Sequence, residues 1–434
     1  MKLNLKSWLT SIEVRWWLSA AKRRRKRYPE ALEFLQKVIE AEPDHALALV
    51  QAGHCLTELG RYSEAVDSFE RALQFSPGYA EAHGYLSAAY RELGRNQEAL
   101  ESLNRAFRIK PGLKRQAYWL FQLGSVSGRL GLWNESLEAF QSEAKLTPRE
   151  ASAWQGIGWA CSSLNRDSEA VDAFLHALQL DPGRETLHYD LGVAYLRLQE
   201  QEFKRAAQCF RKYVDLRPDN PDGLFQFGVA VAGDGDFREA FNLLLQATKL
   251  EPNNEIFQFN LGLVYSELGK HEEAAASFEK AIELDPNDSK SHSRLAVSYA
   301  QIGKRSEAID SAKVGVRLSP DSADAYLCLG VALHWSDGYA DAVLAYEKSL
   351  ELNPDQFEAL ANLGDACLRL GRTEEAIKAL NNAAIMKPDD GKVHFLLAES
   401  YLKIGNRDNA SREYEILKRL DGPLAEDLAK LLNV

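Results

Sequence analysis

NLGLVYSELGKHEEAAASFEKAIELDPN, residues 260–287, has close counterparts before and after it along most of the chain. Prolines mark the period of this repetition, because eight of the ten intervals between them are 34 residues long and the other two are 37 and 36. The prolines in this register are Pro43, Pro77, Pro111, Pro148, Pro182, Pro218, Pro252, Pro286, Pro320, Pro354 and Pro388. Self-similarity at a fixed period of this length predicts a solenoid.

The register also predicts the domain organisation. When each proline is taken as position 32, twelve units follow, with starts near residues 12, 46, 80, 117, 151, 185, 221, 255, 289, 323, 357 and 391. These units cover residues 12–422, and a basic amphipathic N-terminal segment, residues 1–27, runs into the first of them. Residues 423–434, PLAEDLAKLLNV, are expected to form a C-terminal cap helix, since an end unit would otherwise expose its apolar face.

Each unit reads as a helical hairpin. Positions 4, 7, 8 and 11 lie on one stripe of a helix, and a glycine turn such as that at Gly269 separates them from a second apolar run. Position 20 is alanine in every unit except the fourth, which has Ser136, and position 8 is glycine in eight units. Glycine inside a helix costs about 1 kcal/mol relative to alanine, so its recurrence indicates close helix packing. Position 24 is large and apolar in eleven units, the exception being Ala312.

Composition excludes some classes of protein. Five cysteines without a Cys-x-x-Cys pair favour free thiols in a reducing compartment. Neither a run of 18 apolar residues nor a signal-peptide pattern occurs, so we expect a soluble, cytoplasmic protein. The net charge of −11 makes nucleic acid an unexpected partner, because binding to nucleic acid depends on neutralising phosphates.

The pattern of Gly262, Tyr265, Gly269, Ala274 and Phe278, with Ala281 and Pro286 after it, resembles the tetratricopeptide repeat. The resemblance implies an all-α fold, a right-handed α-solenoid superhelix of tandem helix-turn-helix hairpins. It also implies a scaffold or adaptor that binds a protein or peptide. Because the units leave no residues for a second domain, we expect no enzyme activity and no cofactor.

Residues that resemble chemical sites have simpler interpretations. The run 233–236, GDGD, lacks the ligand ladder of a calcium loop and falls at an inter-helix turn. Four histidines share position 4 in separate units, where packing between helices is the expected role. They are His83, His188, His292 and His394. We therefore predict no catalytic and no metal-binding residues.

The predicted binding surface is the face of each first helix that turns away from its partner helix. At position 9, six consecutive units carry an apolar residue, and polar or small residues occur in the units outside that run. These six are Trp159, Val193, Val229, Leu263, Val297 and Val331. Position 5 adds Phe121, Tyr189, Phe225 and Phe259. Two interpretations stay open for both sets: a concave groove for an apolar or amphipathic segment, and packing between units.

The resemblance argues against one known mode of binding. Co-chaperone relatives bind a C-terminal carboxylate through asparagine at position 9, and no unit of this chain has asparagine there. The expected ligand is therefore an apolar helix or extended peptide.

The N-terminal segment supports an alternative function. It combines tryptophans with a basic run, a composition that suits an anionic membrane surface on the cytoplasmic side. The residues concerned are Trp8, Trp16, Lys22, Arg23, Arg24, Arg25, Lys26 and Arg27. The other interpretations are a solvated end of the first hairpin and a contact with nucleic acid. The sequence predicts neither the partner's identity nor the oligomeric state.

Overall fold

Consecutive helices pack side by side in pairs along the chain. The computed structural model describes residues 27–198 and 202–432. No strand occurs within these ranges, and inside each of the two compact units of the chain a helix contacts chiefly the one before and the one after it. The predicted all-α solenoid is thereby confirmed.

The contacts divide the chain into two compact units, the first ending at Leu216 and the second beginning at Arg217. The first unit contains α1 (Tyr28–Ala41), α2 (Ala46–Glu58), α3 (Tyr62–Phe75), α4 (Ala80–Glu92), α5 (Asn96–Ile109), α6 (Ala117–Arg129), α7 (Trp133–Leu146), α8 (Ala151–Ser163), α9 (Asp167–Leu180), α10 (Glu185–Leu198) and α11 (Phe203–Leu216), with a 3₁₀ helix at Pro111–Arg115. The second contains α12 (Pro221–Gly233), α13 (Phe237–Leu250), α14 (Glu255–Glu267), α15 (His271–Leu284), α16 (Ser289–Gln301), α17 (Arg305–Leu318), α18 (Ala323–Trp335), α19 (Tyr339–Leu352), α20 (Phe357–Arg369), α21 (Thr373–Met386), α22 (Gly391–Lys403), α23 (Arg407–Leu420) and α24 (Gly422–Leu432). The first half of the first predicted hairpin lies outside the described residues, so the count of twelve hairpins stays a prediction.

A left-handed residue at position 15 ends the first helix of each hairpin whose turn is described. Glycine has this role in eight hairpins, with φ between 71° and 90°. Asn165 (φ 58°) and Asp337 (φ 61°) replace it in two others. Glycine adopts this conformation without the steric cost that other residues bear. The GDGD run is one of these turns, since Gly235 has φ 90° and the Asp236 carboxylate accepts from the first amides of α13.

The hairpin core is built from a glycine and a large side chain. Position 8 glycines face the position 24 side chain of the same hairpin so closely that a Cβ on Gly262 would lie 2.7 Å from the Phe278 ring. The same contact joins Gly53 to Phe69 and Gly158 to Phe174. The sequence-based expectation of close packing at position 8 is thus explained by direct contact with the ring.

The four position 4 histidines lie at the joints between hairpins. In each case Nε2 donates to the carbonyl oxygen of the proline six residues earlier: the distances are 3.0 Å from His83 to Pro77, 3.3 Å from His188 to Pro182, 3.2 Å from His292 to Pro286 and 2.9 Å from His394 to Pro388. Trp154 and Gln258 make the same bond to Pro148 and Pro252. These side chains therefore fasten the start of one hairpin to the end of the previous one.

The last helix covers the end of the array. Helix α24 packs against both α22 and α23. Its apolar residues Ala425, Leu428 and Leu432 are buried in a cluster with Ala410 and Leu417. This is the arrangement expected for a cap.

Candidate functional site

The predicted position 9 residues differ in exposure. Trp159 on α8 is 47% exposed. The other five, Val193, Val229, Leu263, Val297 and Val331, are half-buried. Trp159 is therefore the member of this set with the largest apolar surface open to solvent.

Trp159 and Phe121 line one cleft of about 370 Å³ in the first compact unit, which we name the aromatic cleft. Its other aromatic walls are Trp133 and Phe140 on α7, and Arg91 and Arg129 lie at its edge. Its small residues are Gly124, Ser125, Gly128 and Ser136. The structure thus brings together two predicted site residues that are 38 positions apart.

Small residues leave the aromatic cleft open. Gly128, at position 12 of its hairpin, has no side chain, and a Cβ there would lie 3.1 Å from the Trp133 ring. Ser136 replaces the usual alanine at position 20, and its hydroxyl donates to the Gly124 carbonyl oxygen at 2.8 Å. Sequence reasoning missed Trp133 and Phe140 as cleft residues. The glycine at position 12 of this hairpin, Gly128, was the sequence feature that could have indicated an open space between the helices.

Contacts with neighbouring side chains position the aromatic walls. The Phe121 ring lies against Phe140, with centroids 6.1 Å apart. The Trp159 indole lies beside the Asp190 carboxylate, which accepts from Gln155 at 2.7 Å. Burial raises the pKa of Asp190, while the contacts with Gln155 and Trp159 oppose that shift. A packed ring such as Phe121 loses little conformational entropy when a ligand covers it.

The remaining position 5 aromatics take part in hairpin packing. Tyr189 contacts Phe210 at 5.7 Å between centroids, and Phe259 contacts Phe278 at the same distance. Phe225 stacks on Phe257 at 4.7 Å. Tyr189 and Phe259 thus contact a ring of their own hairpin, as Phe121 does, and Phe225 contacts the next hairpin, so the groove and the packing interpretations of position 5 both stay predictions.

Two predicted residues of the second compact unit line a different cleft. Val297 and Val331 form part of the wall of a cleft of about 710 Å³ between α16 and α22, which we name the polar cleft. Its other lining residues are Gln301, Arg305, His334, Trp335, Asp337, Tyr339, Tyr346, Asn362, Asp365, Arg369 and Lys392. Leu263 instead packs against the cluster that contains Phe278 and Ala274. Val193 and Val229 line neither cleft.

Of the predicted membrane-contact residues, Arg27 alone is described; it is half-buried and directly precedes α1. Trp8, Trp16 and Lys22 to Lys26 lie outside the described residues. No helix in the described part of the chain is long and apolar enough to cross a bilayer.

Comparison with known proteins gives matches to five family models, all described as tetratricopeptide repeat. They match residues 11–77, 56–120, 121–185 with 336–392, 257–288 and 277–310. Together they cover more than half of the chain.

Curated relatives match only locally. The peroxisomal targeting signal receptor of Candida albicans is 32% identical over 66 residues, which are 15% of this chain and 11% of that protein. An inactive TPR repeat-containing thioredoxin of Arabidopsis thaliana is 32% identical over 91 residues, 21% of this chain and 13% of that protein. The matched stretches thus span about a tenth of the length of these relatives.

Solved structures show the same fold. A chain of the APC/C Cut9–Hcn1 hetero-tetramer matches with a TM-score of 0.52 at 15% identity, covering 99% of this chain and 98% of that one. A tetratricopeptide repeat protein of Parabacteroides merdae matches with a TM-score of 0.50 at 15% identity, covering 58% and 98%.

Proposed function

This chain belongs to the tetratricopeptide-repeat family, and from that premise we propose that it is a non-catalytic scaffold that binds an apolar or amphipathic segment of another protein. The bound segment lies along the faces of the first helices. Its main apolar side chain enters the aromatic cleft.

The aromatic cleft carries this proposal. Four rings surround a space that glycine and serine keep open, and one of the two tryptophans among them, Trp159, is 47% exposed. Apolar surface buried there contributes about 25 cal/mol per Å². Aromatic anchors in such pockets often contribute most of the binding free energy.

The charge at the edge of the cleft refines the expected ligand. Arg91 pairs with Glu92 and donates to Gln122, whereas Arg129 forms no ion pair within the described residues. An acidic residue next to the apolar anchor would interact favourably with Arg129. Support of a more general kind comes from the short match to proteins named as targeting signal receptors.

A displayed library of random 16-residue peptides, selected on the intact chain, tests the proposal. We expect the selected peptides to share an apolar anchor and Trp159→Ala to weaken them about tenfold or more. Ile385→Ala is the control, because Ile385 is 78% exposed and lies on α21, outside both clefts. Equal affinity for the wild type and Trp159→Ala would contradict the proposal.

Substitution of Leu263 is a poor test of the groove. Leu263 packs beside Phe278 in the core of its hairpin, so Leu263→Asp would place a charge in that contact and destabilise the hairpin. Loss of binding in such a variant would not separate the two interpretations of position 9.

The membrane-surface adaptor remains the alternative proposal, and it depends on residues 1–27. Flotation with anionic and neutral liposomes, using the chain with and without residues 1–27, decides it. Co-flotation that needs both the segment and the anionic lipid would support the adaptor.

A further inference from the structure

We propose that the polar cleft of the second compact unit is a separate binding site, which accepts an acidic side chain, Asp or Glu, from an apolar protein segment. The proposal rests on the proposed function in one respect, that the ligand is a segment of a protein. It uses none of the residues of the aromatic cleft.

The first observation is a buried hydroxyl group without a hydrogen-bond partner in residues 27–198 and 202–432. Position 24 is phenylalanine in five hairpins, at Phe69, Phe140, Phe174, Phe210 and Phe278. In the tenth hairpin it is Tyr346, whose ring packs on Gly330 as the Phe278 ring packs on Gly262. Tyr346 is 0% exposed, lines the polar cleft, and has no hydrogen-bond partner for its hydroxyl among the described residues. A phenylalanine would fill the hairpin without the cost of that buried polar group.

A second buried polar atom lies near this hydroxyl. The His334 and Tyr346 ring centroids are 6.4 Å apart. His334 Nδ1 is buried and likewise lacks a partner within the described chain, while Nε2 lies 3.7 Å from Asp365 Oδ2. Buried polar atoms are nearly always paired in native proteins, so two unpaired atoms at one cleft indicate a ligand that supplies their partners.

The charges of the cleft specify an anion. Arg305 pairs with Asp337 at 2.7 Å, and Arg369 pairs with Asp365 at 3.1 Å. Lys392 lines the same cleft and forms no ion pair or hydrogen bond in the part of the chain that the structure describes. Lys392 can therefore pair with one carboxylate of a ligand.

The walls of the cleft identify the rest of the ligand. Val297 and Val331 supply apolar surface, and Trp335 beside them is 49% exposed. Lys392, the one lining cation without an ion pair in the described residues, beside the apolar surface of Val297, Val331 and Trp335, suits a carboxylate on an apolar segment better than a chain of phosphates, which needs several cations. The ligand is therefore a protein segment with one acidic residue flanked by apolar ones.

Peptide selection on the intact Trp159→Ala variant tests the site with the aromatic cleft impaired. From a displayed 16-residue library we expect peptides with an essential Asp or Glu, and replacing that residue by Asn or Gln should weaken binding about tenfold or more. Tyr346→Phe and Lys392→Gln in the same background should weaken the selected peptides to a similar extent.

Thermal unfolding separates ligand binding from a structural role of Tyr346. Because the hydroxyl has no partner, Tyr346→Phe should leave Tm unchanged or raise it while binding falls. Tyr299→Phe is the matched control: its hydroxyl donates to Glu279 at 2.5 Å and lies outside the cleft, so peptide affinity should stay the same.

The proposal is overturned if the selection yields no peptide or if the selected peptides bind Tyr346→Phe and Lys392→Gln as well as the parent. It is also overturned if affinity depends on the C-terminal carboxylate rather than on the acidic side chain. A dependence on a phosphorylated residue would replace the carboxylate by a phosphate and also overturn it. A parallel selection on the wild type tests the proposed function separately. If it yields peptides whose binding depends on Trp159, the proposed function is supported even when the polar cleft binds nothing.

Discussion

A glycine α-carbon and an aromatic ring share a tight space in six of the described hairpins. The contact between Gly262 and Phe278 leaves no room for a methyl group, which explains why glycine recurs within a helix despite its conformational cost. The recurrence itself was predictable from the sequence. Tyr346 and Ser136 were visible only as departures from the pattern, because their effects depend on which groups surround them in space.

Glu143 on α7 is a second residue whose behaviour depends on its surroundings. Its side chain is buried, and its Oε2 atom has no hydrogen-bond partner among the described residues. Burial, with a smaller contribution from Glu150, raises the pKa of Glu143 to about 7. The folded chain therefore holds this proton more tightly than the unfolded chain does.

Glu143→Gln should remove this pH dependence. With the native pKa above the unfolded value, the contribution of Glu143 to the free energy of unfolding falls as pH rises from about 4.5 to 7 and stays low above that. We expect the variant to gain on the order of 2 kcal/mol at pH 8 and much less at pH 5. Urea unfolding at both pH values measures this, with the exposed Glu138→Gln as control. A gain of equal size at both pH values would contradict it.

Consecutive hairpins are joined by a hydrogen bond that the sequence did not predict. The prolines were recognised as markers of the period and the position 4 histidines as packing residues. The structure adds that His83 and His394 donate to the carbonyl of the preceding proline. A backbone carbonyl carries no sequence signal of its own, so this pairing required the fold.

A residue too large for the core of one hairpin should disturb the packing of the two helices of that hairpin most. Ala240, on α13 and at position 20 of its hairpin, is 0% exposed, and Ala240→Trp would force α12 and α13 apart. We expect the melting curve followed by circular dichroism to split into two transitions, because each hairpin is stabilised by its neighbours. The control is Ala276→Trp at an exposed position of α15. An unchanged single transition for Ala240→Trp would refute this.

At the scale of the whole molecule, the sequence predicted a single run of twelve units. The structure divides the contacts into two compact units at Leu216 and Arg217. The proline interval that ends at Pro218 is 36 residues long rather than 34, but a change of two residues in spacing does not by itself predict a division. The division reflects which helices contact one another in the folded chain, and the spacing of the repeats carries no information about those contacts.

The second compact unit should fold when it is produced alone. It has its own sequence of neighbouring helix pairs and the cap helix α24. We expect a chain of residues 217–434 to be helical by circular dichroism and to unfold cooperatively in urea. A fragment that lacks a cooperative transition would show that its stability depends on the first unit.

The bond between position 4 and the preceding proline also constrains how such a chain can change in evolution. A donor that must reach a carbonyl six residues earlier tolerates no insertion between them. The three extra residues after Pro111 occur at a joint whose position 4 is Leu120, which has no donor to lose. An insertion elsewhere in a unit leaves the bond intact, as at the His188 joint, which is followed by a proline interval of 36 residues, whereas an added joint requires a complete added unit. The length of the binding surface would then change in whole-unit steps, by recombination rather than by point insertion.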